Sequence, residues 1–233
     1  MSFDVATKEF PPNGVWRVAQ ALDPFKARHD SAEELTAEEL EDPGIGNRFD
    51  SPLPGRYGTV YFGTQLECCF AETLSRYRPD PRLLQFAHRD QEDGDFMAPG
   101  EVPADWRTRR LAIRAAVTGG VFLDVEASET RVVLEKSLHV LINAFGYEHL
   151  DMPAVMSGDR RLTRFISQWA WSRHDERGDP IFAGIRYVSR LDSRWECWAV
   201  FDRSPIIELE RRNITRNMEA LAHVCELYGL LVF

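Results

Sequence analysis

The chain has 233 residues, 44% of them hydrophobic, which is enough to bury the core of one large domain or two small ones. Its net charge of -9 sets the whole-chain field against phosphate backbones and anionic membranes, so local arginines must hold any anionic ligand. No apolar run approaches the ~18 residues of a membrane span, and the N-terminus "MSFDVATKEFPP" lacks the basic and apolar regions of an export signal.

Four cysteines (Cys68, Cys69, Cys197 and Cys225) form no C-x-x-C pair or zinc-ligand spacing, and six scattered histidines form no H-E-x-x-H. The expectation is a cytoplasmic chain in a reducing compartment, one domain over 1–233, with no metal and no direct nucleic-acid or membrane partner.

In chain order, "GVWRVAQ" (14–20) predicts a first strand. "SAEELTAEEL" opens with a capping box, Ser31 with Glu34, and predicts an acidic, solvated helix. Residues 44–58 are rich in Gly, Pro, Asn and Asp, which predicts a long structured loop; it carries Arg48 and Arg56. "TVYF" (59–62) is a short buried strand, and Thr64 with Glu67 makes a second capping box, starting a helix that runs to about Tyr77. "RLLQFA" (82–87) reads as a strand, followed by an acidic insertion over about 88–106. A strand in "GGVFLDVEA" precedes an amphipathic helix (128–146) ended by Gly146. A further helix spans about 160–173, and the strands "IFAGIRYVS" and "RWECWAVFD" follow. The segment about 211–233 reads as a C-terminal helix, strongest over 215–228 and ended by Gly229. Short strands mixed irregularly with helices, without βαβ alternation or a G-x-G-x-x-G turn, predict an α+β fold: a mixed short-stranded sheet core with flanking helices.

Within the helix after Thr64, Leu66, Cys69, Phe70, Thr73 and Leu74 form one apolar stripe, and Glu72 lies at its edge. Two readings are open there. Glu72 is either a boundary acid paired with Arg76 at i+4, worth ~0.2–0.5 kcal/mol, or a carboxylate aimed into a site with Tyr61, Arg48 and Arg17. Each partner has a structural alternative as well. Tyr61 suits a core position with a satisfied hydroxyl, Arg48 could tie down its loop, and Ser189 could cap the turn between two strands.

"VWRV", "GNRFD", "GTVYFG" followed by "AETL", and "FAGIRYVSR" resemble, in order, the successive motifs of the RES domain, named for its Arg, Glu and Ser. The resemblance runs from about Gly14 to about Leu209. It implies a fold like that of ADP-ribosyltransferases and a cytoplasmic enzyme that breaks the nicotinamide–ribose bond of NAD by phosphorolysis or hydrolysis. It also implies a toxin of a RES–Xre toxin–antitoxin pair, with an Xre-type antitoxin as partner. Carried over motif by motif, Arg17 and Arg48 are the family's arginines, Tyr61 its strand tyrosine, Glu72 its glutamate and Ser189 its serine. Thr163 is the nearest match to a polar residue on the helix before the final strands. All but Thr163 are implied catalytic residues, and all but Glu72 implied substrate contacts.

The residue types suit that chemistry. Loss of nicotinamide leaves a cationic ribose that a fixed carboxylate stabilises, and guanidinium forks grip phosphate oxygens. A tyrosine ring can stack on nicotinamide, and a serine hydroxyl can orient a ribose or phosphate oxygen. Many members read "GRWN" where this chain reads "NRFD", so Asp50 replaces an amide and is expected to repel phosphate as co-substrate. Two alternatives stand beside the NAD-degrading reading: an ADP-ribosyltransferase with a macromolecular or small-molecule acceptor, and a silent module that binds a nucleotide or partner. The apolar C-terminus "LYGLLVF" would suit an oligomer interface.

Overall fold

The protein is described here from a computed structural model over residues 4–27, 42–44, 46–53, 55–80, 82 and 98–233. The acidic helix expected from Ser31, the strand expected over 82–87 beyond its first residue, and most of the acidic insertion lie outside these residues.

The strands are β1 (Thr7–Lys8), β2 (Val15–Gln20), β3 (Thr59–Gly63), β4 (Glu101–Val102), β5 (Arg110–Val117), β6 (Val121–Asp124), β7 (Phe182–Val188), β8 (Glu196–Phe201), β9 (Ile206–Asn213) and β10 (Leu231–Val232). Eight of them form one sheet in the order β1-β6-β7-β8-β3-β2-β5-β9, while β10 and β4 pair separately. Within the large sheet only β6 and β7 run parallel. A parallel pair needs a long crossover, and the chain supplies it as α2 (Ser128–Ala144), the single turn α3 (Met152–Val155) and α4 (Arg160–Trp171). The result is the α+β fold expected, with a mixed sheet and flanking helices.

Both faces of the central strands are covered, so β7 and β8 read as near-continuous apolar runs. The two-residue period of a strand divides them between two cores. On β8, Cys197, Ala199 and Phe201 face the larger core with the helices, while Trp198 and Val200 face a smaller one with Val60, Phe62 and Phe122. Tyr61 packs on the helix side. Gly184 lies where strand and ring approach most closely; a Cβ there would come within 2.1 Å of the Ala199 carbonyl oxygen and 2.7 Å of the Phe122 ring.

Three expectations change. "RLAIRAAV", unassigned from sequence, is the long strand β5, paired with both β2 and β9. The segment 211–233 is not one helix: it is the end of β9, helix α5 (Glu219–Tyr228) closed by Gly229 at φ +63, and β10. The charged "IIELERRN" is a strand because β5 offers it an edge, and the Arg114–Glu210 ion pair (3.0 Å) crosses the two strands. Finally, Thr64 does not cap the helix α1 (Leu66–Leu74). Gln65 holds the N-cap position without a side-chain capping bond, and the Thr64 hydroxyl donates to Glu196 Oε2 (2.9 Å) and accepts from the Trp198 indole N–H (3.0 Å). Beyond Leu74 the chain continues as a 3-10 turn, Ser75–Tyr77, so the helical segment does reach Tyr77.

Candidate active site

The ladder between β2 and β3 has a single registered pair, Trp16 with Gly63. Beyond it the strands part, and Arg17 enters the gap: Nη1 donates to the Tyr61 carbonyl (2.8 Å) and Nε to the Pro24 carbonyl (2.8 Å). A guanidinium thus occupies a backbone acceptor that a continuous sheet would have used. Over this parting, between α1 and the ends of β7 and β8, lies a cleft of ≈ 590 Å³ whose lining includes Arg17, Arg48, Tyr61, Glu72 and Tyr187.

Arg48 is 9% exposed. Its Nη1 donates to the Val188 carbonyl (3.1 Å) and its Nη2 to the Val155 carbonyl (3.0 Å), clamping the end of α3 to the end of β7. The guanidinium lies 4.8 Å from the Tyr187 ring centroid and 5.2 Å from that of Phe49, while Nε, buried, has no partner among the described residues. With rings on its faces and two carbonyls on its N–H edge, Arg48 is held rigidly and brings a fixed positive charge to the cleft wall.

The Tyr61 hydroxyl is fully engaged: it donates to Asp50 Oδ1 (2.8 Å) and accepts from the Phe49 N–H (3.0 Å). Burial, reinforced by the charge of Asp50, pushes its pKa well above the usual tyrosine value, so it stays neutral. Asp50 is itself buried, accepts from the Asn47 amide (2.7 Å) and side chain (3.0 Å), and is absent from the cleft lining. The expected repulsion of phosphate therefore lacks its geometry, because this carboxylate is turned back into its own loop.

Glu72 is exposed on α1, with Oε1 accepting from Ser189 Oγ at 2.6 Å. That distance belongs to charge-assisted O–H···O bonds. No ion pair joins Glu72 to Arg76 among the described residues. Ser189 is fully buried just past β7, and its Oγ also accepts from the Leu191 N–H (3.0 Å). The serine therefore caps its turn and holds the carboxylate at once. The exposed face of α1 is narrower than the apolar stripe suggested, because the helix packs on the sheet and on α5 together. Cys68 and Ala71 are buried along with Cys69, Phe70 and Leu74.

Two of the lining cysteines are poor nucleophiles. Cys68 and Cys197 stand Sγ to Sγ at 3.4 Å; this contact, then burial, drives the Cys68 thiol far up, and burial does the same for Cys69. Cys68 and Cys69 therefore remain protonated thiols at neutral pH.

The RES domain family profile matches residues 15–218. This chain belongs to the RES domain family. No curated protein matches it. Among solved structures it is similar to a chain of the M. tuberculosis MbcT–MbcA toxin–antitoxin complex, at 13% identity and a TM-score of 0.49, over 97% of this chain and 91% of that one.

Of the RES motif residues, the fold gathers Arg17, Arg48, Tyr61 and Glu72 on one cleft and sets Ser189 against Glu72. It does not bring Thr163 there: that side chain is buried in α4, donates to the Arg160 carbonyl (3.1 Å), and is outside the lining. Sequence reasoning left out Tyr187 and the lining arginines Arg76, Arg110, Arg160 and Arg190. Tyr187 had a signal, since it precedes Ser189 by two residues on the same strand face. Arg76 was read only as an i+4 partner of Glu72, and Arg110, 34 residues further on, had no signal.

Proposed function

We propose that this RES chain is an NAD-degrading enzyme that breaks the nicotinamide–ribose bond, and that it acts as the toxin of a toxin–antitoxin pair with an Xre-type protein as its partner. The observation that carries the reading is the carboxylate of Glu72, held by Ser189 at 2.6 Å on a cleft rich in arginine. As the C–N bond breaks, its electron pair leaves with neutral nicotinamide and C1′ of the ribose becomes cationic. The free Oε2 edge of Glu72 stabilises that charge. Water, which then loses a proton, or a phosphate oxygen closes on C1′ from the opposite face. The Tyr61 ring and Arg17, fixed through the Tyr61 carbonyl, line the same wall, and Arg48 adds positive charge that favours an anion. Family membership supports the toxin role, and the bonds from Asp50 to Tyr61 and Asn47, with its absence from the lining, favour phosphate as an acceptor beside water.

The test is release of free nicotinamide from NAD, with and without inorganic phosphate. Glu72→Ala should slow it ~10²- to 10³-fold, the cost of losing one preorganised electrostatic group. No release by the wild type, or equal release by the variant, would sink the reading.

A further inference from the structure

Four cleft-lining arginines have no part in the RES motifs. Two stand near the β7 end: Arg160, whose Nη1 donates to the Gly46 carbonyl, and Arg190, which follows Ser189 and reaches the Gly158 turn. The other two stand across the sheet. Arg110 begins β5 opposite Gln20 of β2, and Arg76 lies in the turn that ends α1. Strands β8, β3 and β2 separate β7 from β5, four interstrand steps or roughly 19 Å, and the parting of β2 from β3 adds to this. Helix α1 packs over β2 and β3 in between. Glu72 on this helix bonds Ser189, and Arg76, four residues on in the turn that follows, has its guanidinium 6.0 Å from the Tyr77 ring centroid. The cleft is wider than a mononucleotide.

Arg76 and Arg110 form a site without a built-in counter-charge. Burial holds the Arg110 guanidinium below its usual pKa, and the charge of Arg76 pushes it the same way. Arg110 lies 5.0 Å from the Trp106 ring centroid and gives one N–H to the Trp106 carbonyl (3.1 Å), which fixes its plane and leaves its other N–H groups to a ligand. Among the described residues neither arginine has an ion-pair partner, although the chain carries 37 acids. Asp105, whose field reaches Arg110, gives its carboxylate to Arg109 instead (2.7 Å). Two guanidiniums that line one cleft, feel each other's charge and have no ion-pair partner among the described residues fit a phosphate monoester, which carries about -1.5 to -2 charge at pH 7. The rest of the lining decides where that monoester belongs. A nucleoside 2′-hydroxyl is characteristically received by a carboxylate and a 2′-phosphate by an arginine. Glu72 is the one acid lining the cleft among the described residues, and its Oε1 is engaged by Ser189.

We propose that Arg76 and Arg110 are a phosphate-monoester site, and that it takes the 2′-phosphate of a phosphorylated nicotinamide dinucleotide, making NADP a better substrate than NAD. The second part rests on the reading of the cleft as a nicotinamide-releasing site; the first does not.

Calorimetry with AMP and adenosine 2′,5′-bisphosphate separates the two parts. The wild type should bind the bisphosphate at least about tenfold more tightly than AMP, a difference of ~1.4 kcal/mol, and Arg76→Gln/Arg110→Gln should erase the difference. Arg76→Gln alone, at an exposed side chain, should remove most of it without disturbing the fold. Equal binding of both ligands by the wild type, or a preference that survives the double variant, overturns the proposal. For turnover, kcat/KM should favour NADP in the wild type and fall for NADP selectively in the double variant; a wild-type preference for NAD overturns the substrate assignment. If neither dinucleotide releases nicotinamide while the bisphosphate preference holds, the cleavage reading fails and the phosphate site stands.

Discussion

Ser189→Ala tests whether the serine acts through Glu72 or only closes its turn. The substitution deletes the 2.6 Å donor to Glu72 Oε1 and the 3.0 Å acceptor of the Leu191 N–H, at a position with no solvent exposure. An N–H that loses its acceptor out of reach of water costs about 1–3 kcal/mol, and at this chain length each kcal/mol lowers Tm by about 2–4 °C. A purely structural serine would show that loss alone. A positioning serine also lets the carboxylate leave the one orientation that faces C1′, and the release rate should fall about tenfold, or ~1.4 kcal/mol of barrier, with KM nearly unchanged. The decisive measurement is the cycle with Glu72→Ala: if Ser189 works through that carboxylate, adding Ser189→Ala to Glu72→Ala should cost stability and no further rate. Rate losses that simply add, each variant multiplying the other, would refute the coupling and return Ser189 to a turn cap.

Tyr61→Phe keeps the ring on the cleft wall and removes the hydroxyl that bridges Asp50 and the Phe49 N–H. Denaturant unfolding should show a loss of about 1–3 kcal/mol, while nicotinamide release stays within about threefold of wild type. A large loss of rate at unchanged stability would show that the hydroxyl takes part in the chemistry. Asp159 is the N-cap of α4, accepting from the Arg161 backbone N–H (3.0 Å) and from its guanidinium, and the bond to the Arg161 side chain holds its carboxyl below the usual value. A depressed folded-state pKa contributes stability that is present above the unfolded value of about 3.9 and is lost as pH falls through the folded one. Asp159→Asn should therefore flatten the decline of Tm on acidification below about pH 4, and an unchanged slope would remove Asp159 from the acid response.

Much of the site was legible because its parts are carried by short motifs at fixed strand and helix periods. Arg17 lies in the first strand, and Tyr61 is brought to the wall by the buried strand before a tight glycine turn. At Gly63 a Cβ would stand 3.1 Å from Cys69 Sγ, so α1 starts with no slack and presents Glu72 at a set angle. The errors lie where a side chain's destination depends on a remote element. Thr64 fits the local pattern of a helix cap, but Glu196 and Trp198 of β8 compete for its hydroxyl and win. Asp50 faced a presumed phosphate in one dimension, and in three it is consumed by Asn47 and Tyr61. "IIELERRN" has the charge density of a surface helix, and only the free edge of β5 makes it a strand.

The sequence by itself determined the fold class, the positions of most strands and helices, and the residue types of the candidate site, because hydrophobic period and turn chemistry are local. Tertiary structure alone decided that β2 and β3 part after a single pair, that the Ser189 hydroxyl meets Glu72 across 117 positions, and that Arg76 and Arg110 line one cleft with no ion-pair partner among the described residues. Those facts depend on strand order and on which groups compete for each hydrogen bond, and no local period in the chain records either.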